Sequence, residues 1–479
     1  MLFNSQEYPF FLFLVFLLYW FIFYRDKKKQ NTLLFLAGYV FYSFWDWRFL
    51  FIILCSTAIN FLAGLRIKKN QGKKIAKKIF ISTILINITL LFIFKYFDFF
   101  FESVSNLYFF LGFQKEPIYL KLIVPVGISF YTLHSLSYIA DVYLNKIEPE
   151  GDFITYAVFI NFFPLLIAGP IERATTLLPQ LNLPRVFNYQ QATTGLRLLL
   201  WGYFKKVVIA DQCSIYVDRV YQISQNEQMH FAGSTILLAI ILFSFQLYCD
   251  FSGYSDIATG SAKLLGINLI RNFKYPLFSQ NIPELWKRWH ISLTSWLRDY
   301  VYIPLGGSRS TGNNFLRNVS VVFILSGLWH GAGLNFIVWG LSNALLFFLY
   351  SIYPLKCNME LRNKNNINKI ISIVFTVSLF SLTLIFFRSS GMNQAIHLFR
   401  DLFSRSLFNI PFMNTHTYLI ISILIIFIYI EWQGRHYNIP IDNILAKLPR
   451  SARFFLYYLL LIIIWFYFGN ERPFIYFQF

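Results

Sequence analysis

The stretch Val319–Tyr350 reads "VSVVFILSGLWHGAGLNFIVWGLSNALLFFLY", and it indicates the class of fold. It is apolar over more than the roughly 20 residues that a helix needs to cross a bilayer, yet His330 stands near its middle. A neutral imidazole in such surroundings needs hydrogen-bond partners, and a charged one is costly. Gly331 and Gly333 predict that the helix is broken directly after His330.

The composition of the whole chain is that of a membrane protein. Of 479 residues, 56% are hydrophobic and only 14% are charged, and the mean hydropathy is +0.51. Further apolar runs recur along the chain: Phe10–Tyr24, Ile79–Tyr96, Phe153–Gly169, Ser234–Leu247, Ile370–Phe387, Tyr418–Ile430 and Phe454–Phe468. We therefore predict an all-α polytopic membrane protein with about 11–13 transmembrane or re-entrant helices, and not a large soluble core.

The net charge of +19 is distributed between the apolar runs, as in Arg25–Lys29 and Arg66–Lys78. This pattern is typical of cytoplasmic loops and does not indicate nucleic-acid binding. The first apolar run has no Lys or Arg before it, which is the wrong order for a cleaved signal peptide. We predict that both termini are extracytoplasmic.

Cysteine and histidine spacing predicts no metal site. Cys55, Cys213, Cys249 and Cys357 form no CxxC pair, the seven histidines form no HxxxH or HExxH pattern, and no phosphate-binding GxxxxGK[ST] loop occurs.

Two carboxylates stand beside an apolar run in the segment from Gln246 to Arg309. Asp250 and Asp256 are separated by "FSGYS", whose glycine and serines predict a broken or bent helix with backbone groups free to line a cavity. Carboxylates at membrane depth usually face a bundle interior or water. The alternative is that these aspartates cap a helix end near the interface.

The stretch "NIPELWKRWHISLTSWLRDY" at Asn281–Tyr300 predicts one amphipathic helix along the membrane interface. Asn281 and Glu284 have the spacing of a capping box. One apolar stripe contains Trp286, Trp289, His290, Leu293, Trp296, Leu297 and Tyr300. On this evidence alone, His290 is either a structural histidine or a functional one.

The basic segment Arg271–Arg317 is predicted to be cytoplasmic, which places His330 about 18 Å into the following helix. A second basic segment follows at Lys356–Lys369, so a re-entrant hairpin with His330 near its tip is favoured. The alternative is a glycine packing motif whose histidine bonds to a backbone carbonyl.

Three motifs resemble the membrane-bound O-acyltransferase family, in the branch that contains the membrane subunit of alginate O-acetyltransferase. They are "YCDFSGYSDIATGSAKLLGINLIRNFKYP", "WKRWHISLTSWLRDYVYIPLGGSR" and "SGLWHGAGLNFIVWG", and the terminal "ERPFIYFQF" is also similar. The resemblance implies a helical ring around a tunnel or funnel. It also implies N-terminal helices over residues 1–118, a catalytic core over 119–352 and C-terminal helices over 353–479.

The same resemblance implies that His330 is the catalytic histidine and His290 the second one of the active site. We expect His330 to act as general base, with His290 orienting it or stabilising the oxyanion; an acyl-histidine intermediate is a variant. The donor is expected to be acetyl-coenzyme A, with no tightly bound cofactor. Candidates for the donor site or tunnel are Asp250, Asp256, Trp286, Arg288, Arg298, Arg309 and Asn335.

The implied function is O-acetylation of an extracellular or periplasmic polysaccharide from the bacterial inner membrane, in contact with membrane lipids. An extracytoplasmic SGNH-like partner would deliver the acetyl group. Two alternatives stay open. One is transfer of D-alanyl or another acyl group from a carrier protein, and the other is a transporter or flippase, which broken helices and intramembrane charges would also suit.

Overall fold

The computed structural model describes residues 1–113, 118–167, 169–226, 229–309, 313–352, 366–469 and 472–477, without the side chains of residues 309, 313, 352 and 477. Throughout these ranges the regular elements are helices. The first ten α-helices are α1 (Glu7–Leu17), α2 (Lys27–Asp46), α3 (Leu50–Lys69), α4 (Lys74–Leu91), α5 (Phe97–Phe110), α6 (Ile128–Tyr143), α7 (Phe153–Asn161), α8 (Phe163–Leu166), α9 (Ala174–Leu181) and α10 (Tyr189–Tyr203).

The remaining α-helices, with the turns between them, contain the residues predicted to be functional. They are α11 (Asp211–Ile223), α12 (Gly233–Leu264), α13 (Ile282–Arg288), α14 (Ile291–Leu297), α15 (Asn313–His330), α16 (Leu334–Ile352), α17 (Asn366–Arg388), α18 (Met392–Leu402), α19 (Thr415–Gly434), α20 (Pro440–Ala446) and α21 (Arg450–Tyr467). Single π-helical turns occur at Leu18–Ile22, Phe92–Tyr96, Phe204–Ala210 and Arg298–Tyr302. Short 3₁₀ turns occur at Trp47–Phe49, Pro276–Phe278, Gly307–Arg309, Arg405–Phe408 and Ile475–Phe477.

The prediction of an all-α, multi-pass membrane protein is confirmed. Within the described ranges, seven helical segments are long and apolar enough to cross a bilayer: Lys27–Lys69, Lys74–Phe110, Gly233–Leu264, Leu334–Ser351, Asn366–Arg388, Thr415–Gly434 and Arg450–Tyr467. Their outward positions are occupied by large apolar side chains such as Phe51, Leu85 and Trp465, each more than half exposed. In water such a surface would be unfavourable, whereas lipid is its natural solvent.

The chain forms two compact units: Met1–Leu196 with Ala258–Ile270, and Arg197–Ile257 with Arg271–Phe479. In the first unit a buried guanidinium joins several elements. Arg185 donates to the hydroxyl of Tyr19 at 2.6 Å, to Oδ1 of Asn31 at 2.7 Å and to the carbonyl of Leu181 at 3.0 Å. Because its donors find these acceptors, the buried charge links α2, the end of α9 and the turn that follows α1. The division into segments 1–118, 119–352 and 353–479 stays a prediction.

Helix α12 runs unbroken through Asp250, Gly253 and Asp256, so a break at this point is wrong, and so is the alternative of a helix-end cap. The glycine serves close packing of two helices instead. A Cβ at Gly253 would lie 2.8 Å from the carbonyl oxygen of Gly202 on α10, and a Cβ at Gly202 would lie 2.7 Å from that of Gly253. The two backbones approach this closely only because both residues lack a side chain.

The predicted break after His330 is confirmed, because α15 ends at that residue and α16 begins at Leu334. The two helices form an antiparallel hairpin held by glycines. A Cβ at Gly327 would lie 2.2 Å from the carbonyl oxygen of Phe336, and a Cβ at Gly340 would lie 2.4 Å from that of Phe323. The depth of the hairpin in the membrane stays a prediction.

Candidate active site

The apex of the hairpin places His330 in an aromatic cage within the second unit. Its side chain is 3% exposed. Five rings surround it, with centroid distances of 4.9 Å to Trp329, 5.0 Å to Tyr476, 5.2 Å to Trp339, 5.2 Å to Phe387 and 6.4 Å to His290. The structure thus brings together the two histidines that the sequence predicted as catalytic, although 39 residues separate them.

His290 sits at a sharp break between α13 and α14, where the sequence predicted one continuous helix. That prediction is wrong, since α13 ends at Arg288 and His290 adopts the left-handed conformation, with φ 43° and ψ 53°. Such a backbone costs a non-glycine residue roughly 1–2 kcal/mol and persists only where the surroundings impose it. The predicted apolar stripe is nevertheless buried, from Trp286 to Leu297.

Only one of the two hydrogen bonds of the predicted capping box occurs at the start of α13. Oδ1 of Asn281 accepts a hydrogen bond from the N–H of Glu284 at 2.8 Å, as expected. The carboxylate of Glu284 accepts from the N–H of Gln280 at 2.7 Å rather than from that of Asn281. Both bonds fix the first turn of the helix that carries Trp286.

Asn272, in the loop before α13, imposes the break at His290. Its carbonyl oxygen accepts from the N–H of Ile291 at 2.8 Å, and its Oδ1 accepts from the N–H of Ser292 at 3.1 Å. These bonds satisfy the first N–H groups of α14 from outside the helix, which is the work of an N-cap. The side chain of Asn272 therefore starts a new helix where the local sequence would continue the old one.

The same amide fixes the proton on His290. Nδ1 of His290 lies 3.2 Å from Oδ1 of Asn272, and this oxygen already accepts from the Ser292 N–H and, at 2.9 Å, from the Ser292 hydroxyl. An amide oxygen cannot donate, so Nδ1 carries the hydrogen and Nε2 carries the lone pair. Among the described residues Nε2 has no hydrogen-bond partner. Burial lowers the pKa of His290 to about 3, which keeps the ring neutral.

Both imidazoles line one cavity of about 430 Å³ in the second unit. One wall is a face of α15: Phe315, Val319, Val322, Phe323, Ser326 and His330. The opposite wall continues from the break: His290, Leu293, Thr294, Leu297, Arg298 and Tyr302. A mostly apolar cavity of this size with a few converging polar groups has the character of a small-molecule site.

The lining also contains polar residues, among them Lys287, Thr294, Ser326 and Ser351, and its titratable groups are spread along its length. The two imidazoles lie at the C-terminal end of α15, and Arg298 lies about 12 Å further along the wall that starts at His290. Arg298 is exposed and pairs with Asp299 at 2.8 Å. Trp286 also lines the cavity, and its indole N–H, like that of Trp339, has no partner among the described residues. The cavity therefore joins buried reactive groups to an outer positive charge.

Asp250 holds the C-terminal segment against the histidines instead of lining the cavity. One of its oxygens pairs with Lys206 at 2.6 Å, and Lys206 also pairs with Asp211 at 2.7 Å. The other oxygen of Asp250 accepts from the N–H of Ile475 at 2.8 Å. This bond fixes the residue before Tyr476, whose ring packs on His330.

The remaining predicted residues lie in different surroundings. Asp256 pairs with Lys205 at 2.6 Å, and Arg288 pairs with Glu284 at 2.6 Å without joining the described lining of the cavity. Asn335 donates to the carbonyls of Phe386 and Ser389, which fixes α16 to the end of α17. The side chain of Arg309 lies outside the described residues. The roles of all four in the donor site or tunnel stay predictions.

Two residues of the site were not predicted. Asn272 stands in the quoted "RNFKYP", and Tyr476 in the terminal "ERPFIYFQF". Asn272 is 18 residues from His290 in sequence, and no spacing rule links them. The only local signal was the presence of a polar residue and a tyrosine inside motifs that already carried the resemblance.

Tyr476 carries the only hydroxyl among the five rings around His330. Burial, and then the carboxylate of Asp250, hold the pKa of its phenol well above the ordinary value, so it is protonated at neutral pH. We expect Tyr476→Phe to lower acyl transfer at least about tenfold, because the ring contact stays while a proton-carrying group beside the imidazole is lost. Transfer assays on membranes with equal protein levels, with Tyr429→Phe as control, measure this. An unchanged rate would limit Tyr476 to packing.

Comparison with known proteins shows the family of the chain. The sequence profile described as MBOAT, membrane-bound O-acyltransferase family, matches residues 41–391, which contain both histidines, Asn272 and the whole cavity wall. The chain therefore belongs to the membrane-bound O-acyltransferase family, and it is a multi-pass membrane O-acyltransferase.

Particular relatives resemble the chain over most of its length. It is 33% identical over 459 residues to the probable alginate O-acetylase AlgI of Pseudomonas aeruginosa, covering 94% of this chain and 85% of that protein. It is 32% identical over 393 residues to the peptidoglycan O-acetyltransferase of Helicobacter pylori, covering 77% and 72%. The teichoic acid D-alanyltransferase of Bacillus subtilis is 28% identical over 271 residues, covering 53% and 66%.

Proposed function

We propose that the protein transfers an acetyl group from acetyl-coenzyme A for the O-acetylation of an extracytoplasmic polysaccharide. The observation that carries this proposal is the pair of buried imidazoles, 6.4 Å apart between centroids, at the inner end of an apolar cavity. The names of the relatives support the substrate class, since alginate and peptidoglycan are both extracytoplasmic polysaccharides.

In the proposed reaction His330 is the general base. The oxygen of an acceptor hydroxyl attacks the thioester carbonyl carbon while its proton passes to the imidazole. The carbon–sulfur bond then breaks, and the leaving thiolate takes the proton back as a thiol. The whole step is neutral overall, which suits a buried site where net charge is costly.

His290 fits the role of an acceptor, because Nε2 carries its lone pair. In that state it cannot donate to an oxyanion, so it is suited to hold the acceptor hydroxyl or to orient His330. The indole N–H of Trp286, which lines the cavity, is suited to donate to the developing oxyanion. This N–H supplies a fixed dipole for the oxyanion without adding a charge to the site.

The order of chemical groups along the cavity supports this donor. Coenzyme A carries its thioester on a long, narrow pantetheine arm and its phosphates at the far end. An apolar slot with imidazoles at the inner end and Arg298 further out matches that order of chemical groups. Arginine is well suited to phosphate because its planar fork offers paired donors.

We expect Arg298→Ala to raise the KM for acetyl-coenzyme A about tenfold and to leave kcat nearly unchanged, because Arg298 would bind phosphate far from the reacting carbonyl. Arg405→Ala is the matched control, since Arg405 is exposed, is not a predicted donor-site residue and does not line the described cavity. Steady-state kinetics at varied acetyl-coenzyme A separate the two constants. An equal effect of the two substitutions would remove Arg298 from the donor site.

The reaction needs a route from a cytoplasmic donor to an outside polymer. We propose that the protein lies in the bacterial cytoplasmic membrane, with both termini outside, and that an extracytoplasmic SGNH-like partner delivers the acetyl group to the sugar. The basic loops between spans support this orientation, because positive residues concentrate on the cytoplasmic side.

The test is the ester content of the host's extracellular polysaccharide in a deletion strain and in the same strain carrying the wild-type chain. We expect O-acetyl esters to disappear in the deletion strain and to return with the wild-type chain. Unchanged O-acetylation in the deletion strain would overturn the proposal. A loss of D-alanyl esters instead would indicate that the transferred acyl group is D-alanyl, as the name of the teichoic acid D-alanyltransferase says of that relative.

A further inference from the structure

A cluster of two histidines and a carboxylate lies outside the cavity that holds His290 and His330. His230 stands in the loop before α12, and His397 and Asp401 stand four residues apart on α18. The three side chains offer ligand atoms that all lie within 4.8 Å of one another. All three residues belong to the second unit.

The individual distances are compatible with coordination of one ion. Nδ1 of His230 lies 3.0 Å and 3.1 Å from the two carboxylate oxygens of Asp401, and Nδ1 of His397 lies 3.6 Å from one of them. The two imidazole rings are stacked with centroids 4.7 Å apart. Zinc bonds of about 2.0–2.1 Å in tetrahedral geometry space neighbouring ligand atoms about 3.4 Å apart. Small shifts of the side chains would therefore place all three around one ion.

We propose that His230, His397 and Asp401 bind a late first-row transition-metal ion, Zn²⁺ in the first place. Two neutral imidazoles and one carboxylate form a donor set that Zn²⁺ favours, and a water molecule would complete four-coordination. Oxygen-loving Mg²⁺ or Ca²⁺ would prefer more carboxylate and carbonyl ligands.

The ion would join a loop to a helix that supports the active site. Phe399 on α18 packs on Phe386 with centroids 5.0 Å apart, and the carbonyl of Phe386 accepts from Asn335 beside the hairpin apex. Gln394 of α18 donates to the carbonyl of Tyr221 at 2.6 Å, so the helix is fixed on α11 as well. A metal link from His230 to α18 would add a third attachment, made by the loop before α12.

Local sequence patterns do not predict this cluster, because His230 is 171 residues from Asp401 and only His397 and Asp401 have a helical spacing. The cluster is independent of the proposed acetyl transfer, since none of its residues lines the described cavity. Its failure in a test would leave the proposed function untouched.

The test is titration of the full-length protein with zinc chloride in detergent, after treatment with chelator. The protein is purified with a tag that contains no histidine, and binding is followed by calorimetry. We expect about one ion per chain for the wild type. His230→Ala and Asp401→Asn should each weaken binding at least about tenfold. His436→Ala removes an exposed histidine outside the cluster and should bind as the wild type does.

The variants need a measure of folding that does not depend on metal. The His230 side chain is 57% exposed, so His230→Ala should unfold at the same temperature as the wild type in chelator. Zinc should then raise the unfolding temperature of the wild type and of His436→Ala, but not that of His230→Ala or Asp401→Asn. Absence of binding in the wild type, or equal binding in the His230→Ala variant, would overturn the proposal.

Discussion

His330→Ala should abolish acyl transfer, with a loss of about 10²–10⁴-fold, the usual contribution of a positioned general base. The residue is the last of α15 and is buried at the inner end of the cavity. Alanine removes the group that would take the acceptor's proton. The measurement is the O-acetyl ester content of the polysaccharide, supported by transfer assays on membranes.

A control must show that loss of activity in His330→Ala is not caused by misfolding of the protein in the membrane. His330 packs among five rings, so its loss leaves a cavity and can lower stability. His330→Gln keeps more of the volume and should lose activity to the same degree, at equal protein levels and equal unfolding temperature. Retained transfer in a well-folded His330→Gln variant would make the residue structural.

His290→Ala should produce the second-largest loss, about tenfold to a hundredfold, because it removes the acceptor that the neutral ring presents to the cavity. Trp289→Phe is the matched control, since it changes the neighbouring buried ring and keeps its aromatic character. Asn272→Ala should also lower activity, because it removes the acceptor of the His290 Nδ1–H, and we expect the two losses to be less than additive in the double variant. Additive losses would separate Asn272 from the function of His290.

The pH profile gives a readout that packing alone would not move. Burial lowers the pKa of His290 to about 3, so the ring loses its proton as pH rises through that value. It is then neutral throughout the range from about pH 5 to pH 8. We expect the acid limb of the rate profile to keep its position in His290→Ala, at a lower height. Disappearance of that limb would make His290, not His330, the titrating base.

Local sequence was sufficient for several features. Hydrophobic runs predicted an all-α membrane protein, because a bilayer leaves helices as the simplest way to satisfy every backbone group. Gly331 and Gly333 predicted the break after His330, and Asn281 predicted the start of α13. Each of these depends on groups within a few residues of one another.

Two predictions from the sequence were wrong for a common reason. The break at His290 is imposed by Asn272, and Gly253 lies inside an unbroken α12 where it packs closely on Gly202. Helical periodicity cannot report either contact, because the partner lies in another segment. A glycine can end a helix or let two helices touch, and only the neighbouring backbone decides which.

The sequence by itself determined that the chain is a multi-pass membrane protein and, through its motifs, predicted that His330 and His290 belong to a family active site. Only the tertiary structure decided the tautomer of His290, the contact of Tyr476 with His330 and the meeting of His230 with Asp401. The physical reason is the difference between closeness in sequence and closeness in space. Hydrophobic patterning and backbone conformation act between neighbours in sequence, whereas proton placement and metal coordination depend on atoms within about 4 Å in space.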